Sequence, residues 1–238
     1  MAGPEVTIII PVFNDLRSLE IAIPRSIELL SRITNGFELL IAEDGSTDGS
    51  AEFVRRYELQ DTRVHLLHCD ERLGRGKALN RAIRESQGKI VCYYDVDLAT
   101  DLQHLAQLIE AIREGADIAT GSRLMPGSDT VRTEGREFAS RSYNSLVRFF
   151  LGSRIYDHQC GFKGFNKEHI LPILPSIRSS HWFWDTEILV RAQRKGGRIR
   201  EFPVRWRAGK GTTVKIKDVF EMGSSILMLW WQIHVSKN

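Results

Sequence analysis

Short apolar runs and amphipathic segments alternate along the first half of the chain. The apolar runs are continuous, which is typical of parallel strands buried on both faces, while the segments between them repeat apolar residues at helical spacing. The pattern predicts strands at residues 6–10, 37–42, 64–67, 90–94 and 117–120. Strands that alternate with helices form parallel sheets through right-handed crossovers, so we expect an α/β fold with helices flanking the sheet.

The second half of the chain is less regular. Here the sequence predicts helices at residues 137–151 and 184–194, strands at 161–165 and 198–204, and a helix from residue 217 onward. Neither an internal repeat nor a low-complexity linker separates the two halves, which favours one domain.

The helix predicted from residue 217 carries Trp230 and Trp231 and follows a basic segment, residues 194–217, whose only acidic residue is Glu201. An apolar, tryptophan-bearing helix beside cations is typical of peripheral contact with a membrane, and the basic segment also suits phosphate groups. The alternative for the basic segment is a solvent-exposed face without a ligand, which has the same composition. Packing of the helix on its own domain or on a second subunit, which would give a homodimer, remains open.

Composition narrows the class of protein only in part. The chain has 238 residues, a net charge of +3 and 42% hydrophobic residues, as expected for a globular protein. Its three cysteines, Cys69, Cys92 and Cys160, have neither zinc-site nor disulfide-framework spacing. A signal peptide and an apolar stretch of the ~20 residues that span a bilayer are both missing, so we expect a cytoplasmic protein. We expect no nucleic-acid partner.

Two carboxylates, Asp95 and Asp97, directly follow the apolar run at residues 90–94. Ligands of open α/β sheets collect at the carboxyl ends of the strands. Two anions placed there repel each other unless a cation lies between them, and oxygen ligands suit Mg²⁺ or Mn²⁺. The alternative is a polar strand end with an aspartate that caps the next helix.

Other polar groups follow the neighbouring strands. They are Asn14 and Asp15, Asp44, and the glycine-rich turn that contains Arg75 and Lys77. Parallel strand ends share one edge of a sheet, and a nucleotide is a common occupant of such a crevice. The glycines allow close approach of a ligand, and the start of the following helix favours anions. Neither a P-loop nor a dinucleotide-binding fingerprint is present.

The ordered set of motifs resembles the family-2 glycosyltransferases with the GT-A fold. Within that family it is similar to the polyprenyl-phosphate hexosyltransferases, namely dolichyl-phosphate β-glucosyltransferase and dolichol-phosphate mannose synthase. The similarity covers nearly the whole chain and rests on TIIIPVFND at residues 7–15, EDGSTDG at 43–49, GRGKA at 74–78, DVD at 95–97, GSR at 121–123, DHQCGFK at 157–163, WDTEIL at 184–189 and EFPVRW at 201–206.

This resemblance implies a single GT-A domain over residues 1–238, with a Rossmann-like nucleotide-sugar half at 1–121, an acceptor half at 122–216 and an amphipathic helix at 217–238. It implies an inverting transfer of a hexose from a nucleotide-diphosphate sugar to a polyprenyl or dolichyl phosphate. Asp95 and Asp97 would hold Mg²⁺ or Mn²⁺ against the donor diphosphate. The other donor-side residues would be Pro11, Phe13, Asn14, Asp15, Asp44, Arg75, Lys77 and Val96, with Asp44 at the base.

On the acceptor side the resemblance places basic residues in motifs that contain Arg123, Arg141 and Lys163, which we expect to position the acceptor phosphate. For each of them the alternative is an ordinary charged residue on the surface that binds no ligand. Asp185 and Glu187 lie one residue apart, so on a helix they point about 200° from each other and only one faces the sugar easily. We place Glu187 on the acceptor side as a catalytic group, with Asp97 and Arg123. We also expect Trp184 to line the sugar or lipid site, with core packing as the alternative.

Two positions depart from the family pattern. Asp15 stands where the family often has Glu, and Ala99 stands where mannose synthases often have a further metal ligand, Gln. The second departure favours the glucosyl type and UDP-glucose as donor. The alternatives are a mannose synthase that uses GDP-mannose, a family-2 enzyme with a non-lipid acceptor, and a nucleotide-sugar sensor without catalytic activity.

Overall fold

The computed structural model describes residues 3–207 and 216–235, with side chains described from residue 222 onward in the second range. Part of the predicted basic segment, residues 208–215, therefore lies outside the described residues, as do residues 236–238.

Strands and helices alternate through most of the described chain. The strands are β1 (Val6–Val12), β2 (Phe37–Glu43), β3 (Val64–Leu67), β4 (Ile90–Tyr94), β5 (Ile118–Ser122), β6 (Asp129–Val131), β7 (Phe162–Asn166), β8 (Ile199–Pro203) and β9 (Arg205–Arg207). The helices are α1 (Leu16–Ile33), α2 (Ser50–Glu58), α3 (Arg75–Glu85), α4 (Leu105–Arg113), α5 (Glu134–Leu151), α6 (Lys167–Ile170), α7 (Trp184–Arg194) and α8 (Ile216–His234).

Seven strands form the central sheet in the order β3-β2-β1-β4-β7-β5-β8. β7 pairs antiparallel with β4 and β5, whereas β1–β2, β1–β4, β2–β3 and β5–β8 pair in parallel. The expected mostly parallel α/β sheet is thus confirmed. Strands from both halves of the chain contribute to it, because β7 inserts between β4 and β5.

Helices cover both faces of the sheet, which explains why its strands are continuous apolar runs. In β1, Ile8 and Ile10 pack in the cluster that contains residues of α1 and α4. Ile9 points to the opposite face and packs in the cluster that contains residues of α3 and α7. All three isoleucines are completely buried.

The bounds of some strands differ from the expectation. β1 continues through Pro11 to Val12, and the single strand predicted at residues 198–204 is two strands, β8 and β9, separated by Val204. β9 pairs with β6 in a separate two-stranded sheet. Three-residue strands are too short for an apolar period to reveal them.

The C-terminal helix α8 packs against α5 and α7. Val147 and Leu151 of α5, Val190 of α7, and Ile226 and Leu229 of α8 belong to one buried cluster. Packing of the last helix on the domain, one of the alternatives that the sequence left open, is therefore present, and α8 also keeps apolar residues at the surface. Within the described ranges, none of the helices combines the length and the apolar character that crossing a membrane requires.

Candidate active site

Three strand ends meet at one edge of the sheet. Val12 at the end of β1 is paired with Glu43 at the end of β2, and Ile9 is paired with Tyr93 near the end of β4. Side-chain hydrogen bonds then join the loops that follow β1 and β2. The amide oxygen of Asn14 accepts from the backbone N–H of Thr47 at 2.8 Å.

Residues 46–48 also bond to the loop that follows β1. The backbone N–H of Asn14 donates to the Ser46 hydroxyl at 2.9 Å, and the backbone N–H of Leu16 donates to the Asp48 carboxylate at 2.8 Å. Asp15 caps α1 by accepting from the backbone N–H of Ser18. These bonds hold Asn14 and Asp15 at the sheet edge, beside the residues that follow β4.

The carboxylate of Asp44 organises the glycine-rich turn. Its Oδ1 accepts from the backbone N–H of Leu73 at 2.7 Å and its Oδ2 from that of Gly74 at 2.9 Å. Each carboxylate oxygen has room for a second donor, so these bonds leave acceptor capacity for a ligand. Next to this turn the guanidinium of Arg72 stacks over the ring of Phe13, with its central carbon 3.8 Å from the ring centroid.

Arg75 links the first carboxylate of the predicted metal pair to α7. Its Nη2 donates to Oδ1 of Asp95 at 2.7 Å and its Nη1 donates to Oδ2 of Asp185 at 2.6 Å. Asp185 also accepts from Lys163 Nζ at 3.0 Å and from the hydroxyl of Tyr93. Burial alone would raise the pKa of Asp185, but Arg75 and Lys163 outweigh it and the pKa is lowered. The charges of Arg75 and Lys163 therefore balance those of Asp95 and Asp185.

Asp97 stands outside this balance. Its Oδ1 accepts from the backbone N–H of Ala99 at 3.0 Å. Burial raises the pKa of Asp97, and the charges of Asp95 and Asp15 raise it further, with Arg75 acting in the opposite direction. Its carboxylate therefore lies in a pocket of negative charge that the neighbouring cations do not neutralise.

The donor set suits a divalent cation. Asp95 and Asp97 offer hard oxygen ligands in a negative environment, as Mg²⁺ and Mn²⁺ require. In the part of the chain that the structure describes, no three His, Cys, Asp or Glu side chains converge as a metal cage. Water and substrate phosphates would have to supply the remaining ligands, which is usual for Mg²⁺.

Gly161 makes room for the Asp95 carboxylate. A Cβ atom at position 161 would stand 1.9 Å from Oδ2 of Asp95, which is far inside van der Waals contact. The carbonyl of Gly161 also accepts from the backbone N–H of Asp95 at 3.1 Å. The strand end and this glycine thus fix the carboxylate from two sides.

A second centre contains Arg123, which follows β5. Its Nε and Nη2 donate to Asp157 at 2.7 and 2.9 Å, and its backbone N–H donates to the same carboxylate. Burial would lower the pKa of Arg123, but Asp157 raises it overall and Asp95 contributes in the same direction. Asp157 also lies only four residues before Gly161, which packs on the Asp95 carboxylate, so one loop connects this centre to the predicted metal pair.

Arg132 belongs to the same centre and was not among the residues that the sequence indicated. The guanidinium carbons of Arg132 and Arg123 lie 5.5 and 5.7 Å from the ring centroid of Trp206. Nε and Nη2 of Arg132 are buried without a hydrogen-bond partner among the described residues. Burial lowers the pKa of Arg132, and the charge of Arg123 lowers it further. Arg132 is half-buried, and buried guanidinium nitrogens without a partner are costly, so an anion would satisfy them.

Two of the predicted acceptor-side residues are bonded elsewhere. Lys163 is completely buried and bound to Asp185, and its Nζ also donates to the carbonyl of His158 at 3.2 Å. Arg141 is exposed on α5 and forms a pair with Glu137 at 2.7 Å, one turn away. Arg123 is therefore the predicted phosphate-binding residue that adjoins Asp95, and Arg132 accompanies it.

Glu187 lies apart from the Asp95 cluster. Its carboxylate accepts from the backbone N–H of Ser179 at 2.9 Å and from Nε of Arg191 at 2.8 Å. Of the two carboxylates on α7, Asp185 faces the predicted metal pair, and Glu187 lines a cavity beside α8. The helical spacing separated the two carboxylates, but it did not indicate which one turns towards the sheet edge.

The remaining predicted residues have diverse positions. Trp184 is completely buried, and its indole N–H donates to Asn80 at 2.9 Å, so it packs beneath the site instead of lining it. Lys77 is exposed and lines a depression on α3 that lacks the other candidate residues. Pro11 is buried within β1, and Val96 packs partly buried on the core beside Asp95.

Comparison with known proteins agrees with this geometry. The model of the family "Glycosyl transferase family 2" matches residues 7–171. Glycosyltransferase AglD of Haloferax volcanii is 45% identical over 238 residues, which cover 98% of this chain and 38% of that protein. This chain thus spans well under half the length of that relative.

Two further comparisons concern a lipid-phosphate enzyme and a solved structure. Dolichyl-phosphate beta-glucosyltransferase of Saccharomyces cerevisiae is 26% identical, over 94% of this chain and 73% of that protein. Glucosyl-3-phosphoglycerate synthase of Mycobacterium tuberculosis, crystallised with Mn²⁺, UDP-glucose and glycerol 3-phosphate, superposes with a TM-score of 0.68 and 18% identity. That match covers 97% of this chain and 80% of the other. The superposition shows a shared fold.

Proposed function

The chain belongs to glycosyl transferase family 2, and we propose that it is a metal-dependent inverting enzyme that transfers glucose from UDP-glucose to a polyprenyl phosphate. The transfer takes place at the cytoplasmic face of a membrane. The observation that carries the proposal is a pair of charge centres of opposite sign. The negative centre is Asp97 beside the Arg75-bound Asp95, and the cationic centre is Arg132 beside the Asp157-bound Arg123.

The negative centre suits the donor. A bound Mg²⁺ or Mn²⁺ would neutralise the donor diphosphate and act as a Lewis acid for its departure. Among the described residues the charge of Arg75 offsets only part of the negative surroundings of Asp97, and Arg75 and Gly161 hold Asp95 in place. Asn14 and Asp44 lie along the same sheet edge, where the nucleoside would extend.

The cationic centre suits an acceptor that is already an anion. A phosphate monoester is largely doubly ionised at neutral pH, since its second pKa is about 6. Such an acceptor needs no strong general base, in keeping with the engagement of Asp185 and Glu187 in ion pairs and hydrogen bonds. It does need cations that hold it against the charge of the donor diphosphate, and two nitrogens of Arg132 that lack a partner among the described residues can donate to it.

The reaction is a single displacement. A phosphate oxygen of the acceptor forms a bond to the anomeric carbon while the bond from that carbon to the diphosphate oxygen breaks, and UDP leaves with the electron pair. Attack opposite to the leaving group inverts the anomeric configuration. Arg123 and Arg132 orient the acceptor for this approach, which is the contribution of positioning to the rate.

Membrane contact of the protein follows from the choice of acceptor. Phe138 and Phe149 of α5 and Trp231 of α8 are 75%, 81% and 58% exposed. Aromatic residues on two packed amphipathic helices suit the interface of a bilayer, where a polyprenyl phosphate would be presented. The relation to the yeast dolichyl-phosphate enzyme supports the same acceptor.

A panel of donors tests the proposal. The purified protein with Mn²⁺ and a short-chain polyprenyl phosphate is given UDP-glucose, UDP-galactose, GDP-mannose and GDP-glucose in turn. The lipid product is extracted into the organic phase, and its mass is measured by mass spectrometry. We expect hexosyl-phosphate lipid with UDP-glucose. Product with GDP-mannose alone would identify a mannose synthase, and sugar transfer without any lipid-linked product would overturn the acceptor assignment.

A further inference from the structure

A cavity of about 230 Å³ lies between α8, α7 and the loop that precedes α7. Its apolar lining comes from Trp182, Phe183, Met222, Met228 and Leu229. On the basis of the function proposed above, we propose that this cavity binds the first isoprene units of the polyprenyl phosphate, those next to the phosphate.

The cavity adjoins the donor side of the active site. Ser180 and His181 contribute to its wall, and the carbonyl of Ser180 accepts from the backbone N–H of Gly76 at 2.8 Å. A Cβ atom on Gly74 would lie 2.6 Å from that carbonyl and 2.7 Å from the His181 ring. The wall therefore packs directly on the glycine-rich turn, whose Arg75 binds Asp95.

The cavity also adjoins the acceptor side. Met222, which lines it, accepts at Sδ from the side-chain amide of Gln159 at 2.9 Å. Gln159 donates its backbone N–H to Asp157, the carboxylate that holds Arg123. A lipid whose phosphate is held near Arg123 thus has the cavity within reach of its first carbon atoms.

Two polar side chains of the lining, Glu187 and Gln232, are bonded within the protein. Glu187 accepts from the backbone N–H of Ser179 and from Arg191, and Gln232 accepts from Arg191 at 2.7 Å. An occupant therefore has little hydrogen bonding to supply in this part of the wall. It can gain from burial against thioether and aromatic side chains, which adapt well to an irregular apolar chain.

The cavity is continuous with the apolar surface of α8. Met228 lines the cavity and is 62% exposed, whereas Leu229 beside it is 2% exposed. A prenyl chain can therefore enter from the surface at Met228, and the volume limits the buried part to the units nearest the phosphate. The rest of the chain would stay in the bilayer.

Chain length and one matched pair of variants test the inference. Transfer from UDP-glucose is measured without detergent or membrane, with prenyl phosphates of one, two and three isoprene units. We expect the KM of the wild type for the acceptor to fall roughly tenfold or more as units are added, since each buried methylene is favourable. Met228→Asp should remove most of this fall and leave the KM for UDP-glucose unchanged.

Leu227→Asp is the control, because Leu227 is 55% exposed on the same helix and lies outside the cavity lining. We expect it to leave both KM values unchanged, and Met228→Leu to keep the dependence on chain length. Equal KM values for all chain lengths in the wild type would overturn the inference without any variant, as would equal effects of the two aspartates. If the wild type glycosylates none of these phosphates but turns over another acceptor, the proposed function fails and the inference fails with it.

Discussion

At the scale of single residues, the absence of a side chain at Gly161 is as important as the presence of Asp95. A methyl group at position 161 would overlap the Asp95 carboxylate. We therefore expect Gly161→Ala to abolish Mn²⁺-dependent binding of UDP, because Asp95 has to leave its position. Isothermal titration of UDP in the presence of Mn²⁺ measures this.

The matched control is Gly135→Ala. Position 135 lies in α5 and a Cβ atom there meets nothing within 4 Å, so alanine should leave UDP binding intact and slightly stabilise the helix. Unchanged UDP affinity of Gly161→Ala would show that the Asp95 carboxylate has no part in donor binding.

Arg132 should matter for function and not for stability. Hydrogen bonds to charged groups contribute about 1.5–3 kcal/mol, so Arg132→Gln should lower kcat/KM for the acceptor roughly tenfold to a hundredfold and leave the affinity for UDP unchanged. The melting temperature should change little, because two nitrogens of the half-buried Arg132 have no hydrogen-bond partner among the described residues that the substitution could remove.

Arg136→Gln, on the exposed start of α5, removes the same charge from the surface and serves as the control. We expect it to reduce acceptor kcat/KM by less than twofold at moderate salt. The same loss in both variants would mean that general electrostatic attraction, and not a phosphate contact at Arg132, accounts for the effect.

The sequence indicated some of these residues and not others for a physical reason. Asp95, Asn14 and Asp44 follow predicted parallel strands, and the sheet alone brings such ends together. The pairing of Arg75 with Asp185 joins residues 110 positions apart, and it depends on how α7 packs, which local patterns do not determine.

At the scale of elements, a buried histidine connects α5 to the loop before β7. The backbone N–H and Nδ1 of His158 both lie within 2.8 Å of Oδ1 of Asn144 on α5, and Nε2 lies 2.7 Å from the hydroxyl of Ser153. This arrangement suits a neutral ring that donates from Nδ1 and accepts at Nε2. Burial lowers the pKa of His158 to about 3.

This histidine should make stability depend on pH. Between pH about 3 and 6.5 the unfolded chain binds a proton at His158 that the folded chain does not, so the free energy of unfolding falls as the pH is lowered. From about pH 7.5 to 5 the loss should be on the order of 2 kcal/mol. Urea unfolding of the wild type and of His158→Gln, in which this group no longer titrates, measures the difference. Equal pH slopes in both proteins would contradict the assignment.

The strands and helices were predicted as far as apolar periodicity extends. The five strands of the first half appear close to their expected positions, because each is a buried apolar run. β6 and β9 are exposed or half-buried three-residue strands that pair across 75 or more positions of sequence, and no local pattern indicates them.

At the scale of the whole molecule, the exposed aromatic residues are concentrated on α5 and α8. We expect Phe149→Asp to weaken cosedimentation with vesicles that contain anionic lipid by about threefold to tenfold, because burial of one phenylalanine at the interface is lost. Transfer to a short, water-soluble prenyl phosphate should be unaffected.

Leu59→Asp is the comparison for that measurement. Leu59 is 88% exposed at the end of α2, so its substitution removes a similarly exposed apolar residue from a different part of the molecule. It should leave vesicle binding unchanged. Equal weakening by the two substitutions would argue against a defined membrane-facing surface on α5 and α8.

The sequence predicted peripheral membrane contact for the last helix, yet it did not indicate that α5, which also carries exposed aromatic residues, packs beside that helix. That depends on the packing of α8 against Val147 and Leu151, a contact between helices far apart in the chain. The type of fold, in contrast, follows from the order of strands and helices alone.

We propose that Asp95 and Asp97 hold the metal for transfer of a hexose to a lipid phosphate. The most direct test measures lipid-linked product from UDP-glucose and a polyprenyl phosphate while Mn²⁺ is titrated, for the wild type and for Asp97→Asn. We predict saturable, Mn²⁺-dependent formation of glucosyl-phosphate lipid by the wild type and a loss of at least about a hundredfold in Asp97→Asn. Full turnover by Asp97→Asn at saturating Mn²⁺ would contradict the metal assignment, and a wild type that makes no lipid-linked product would contradict the acceptor.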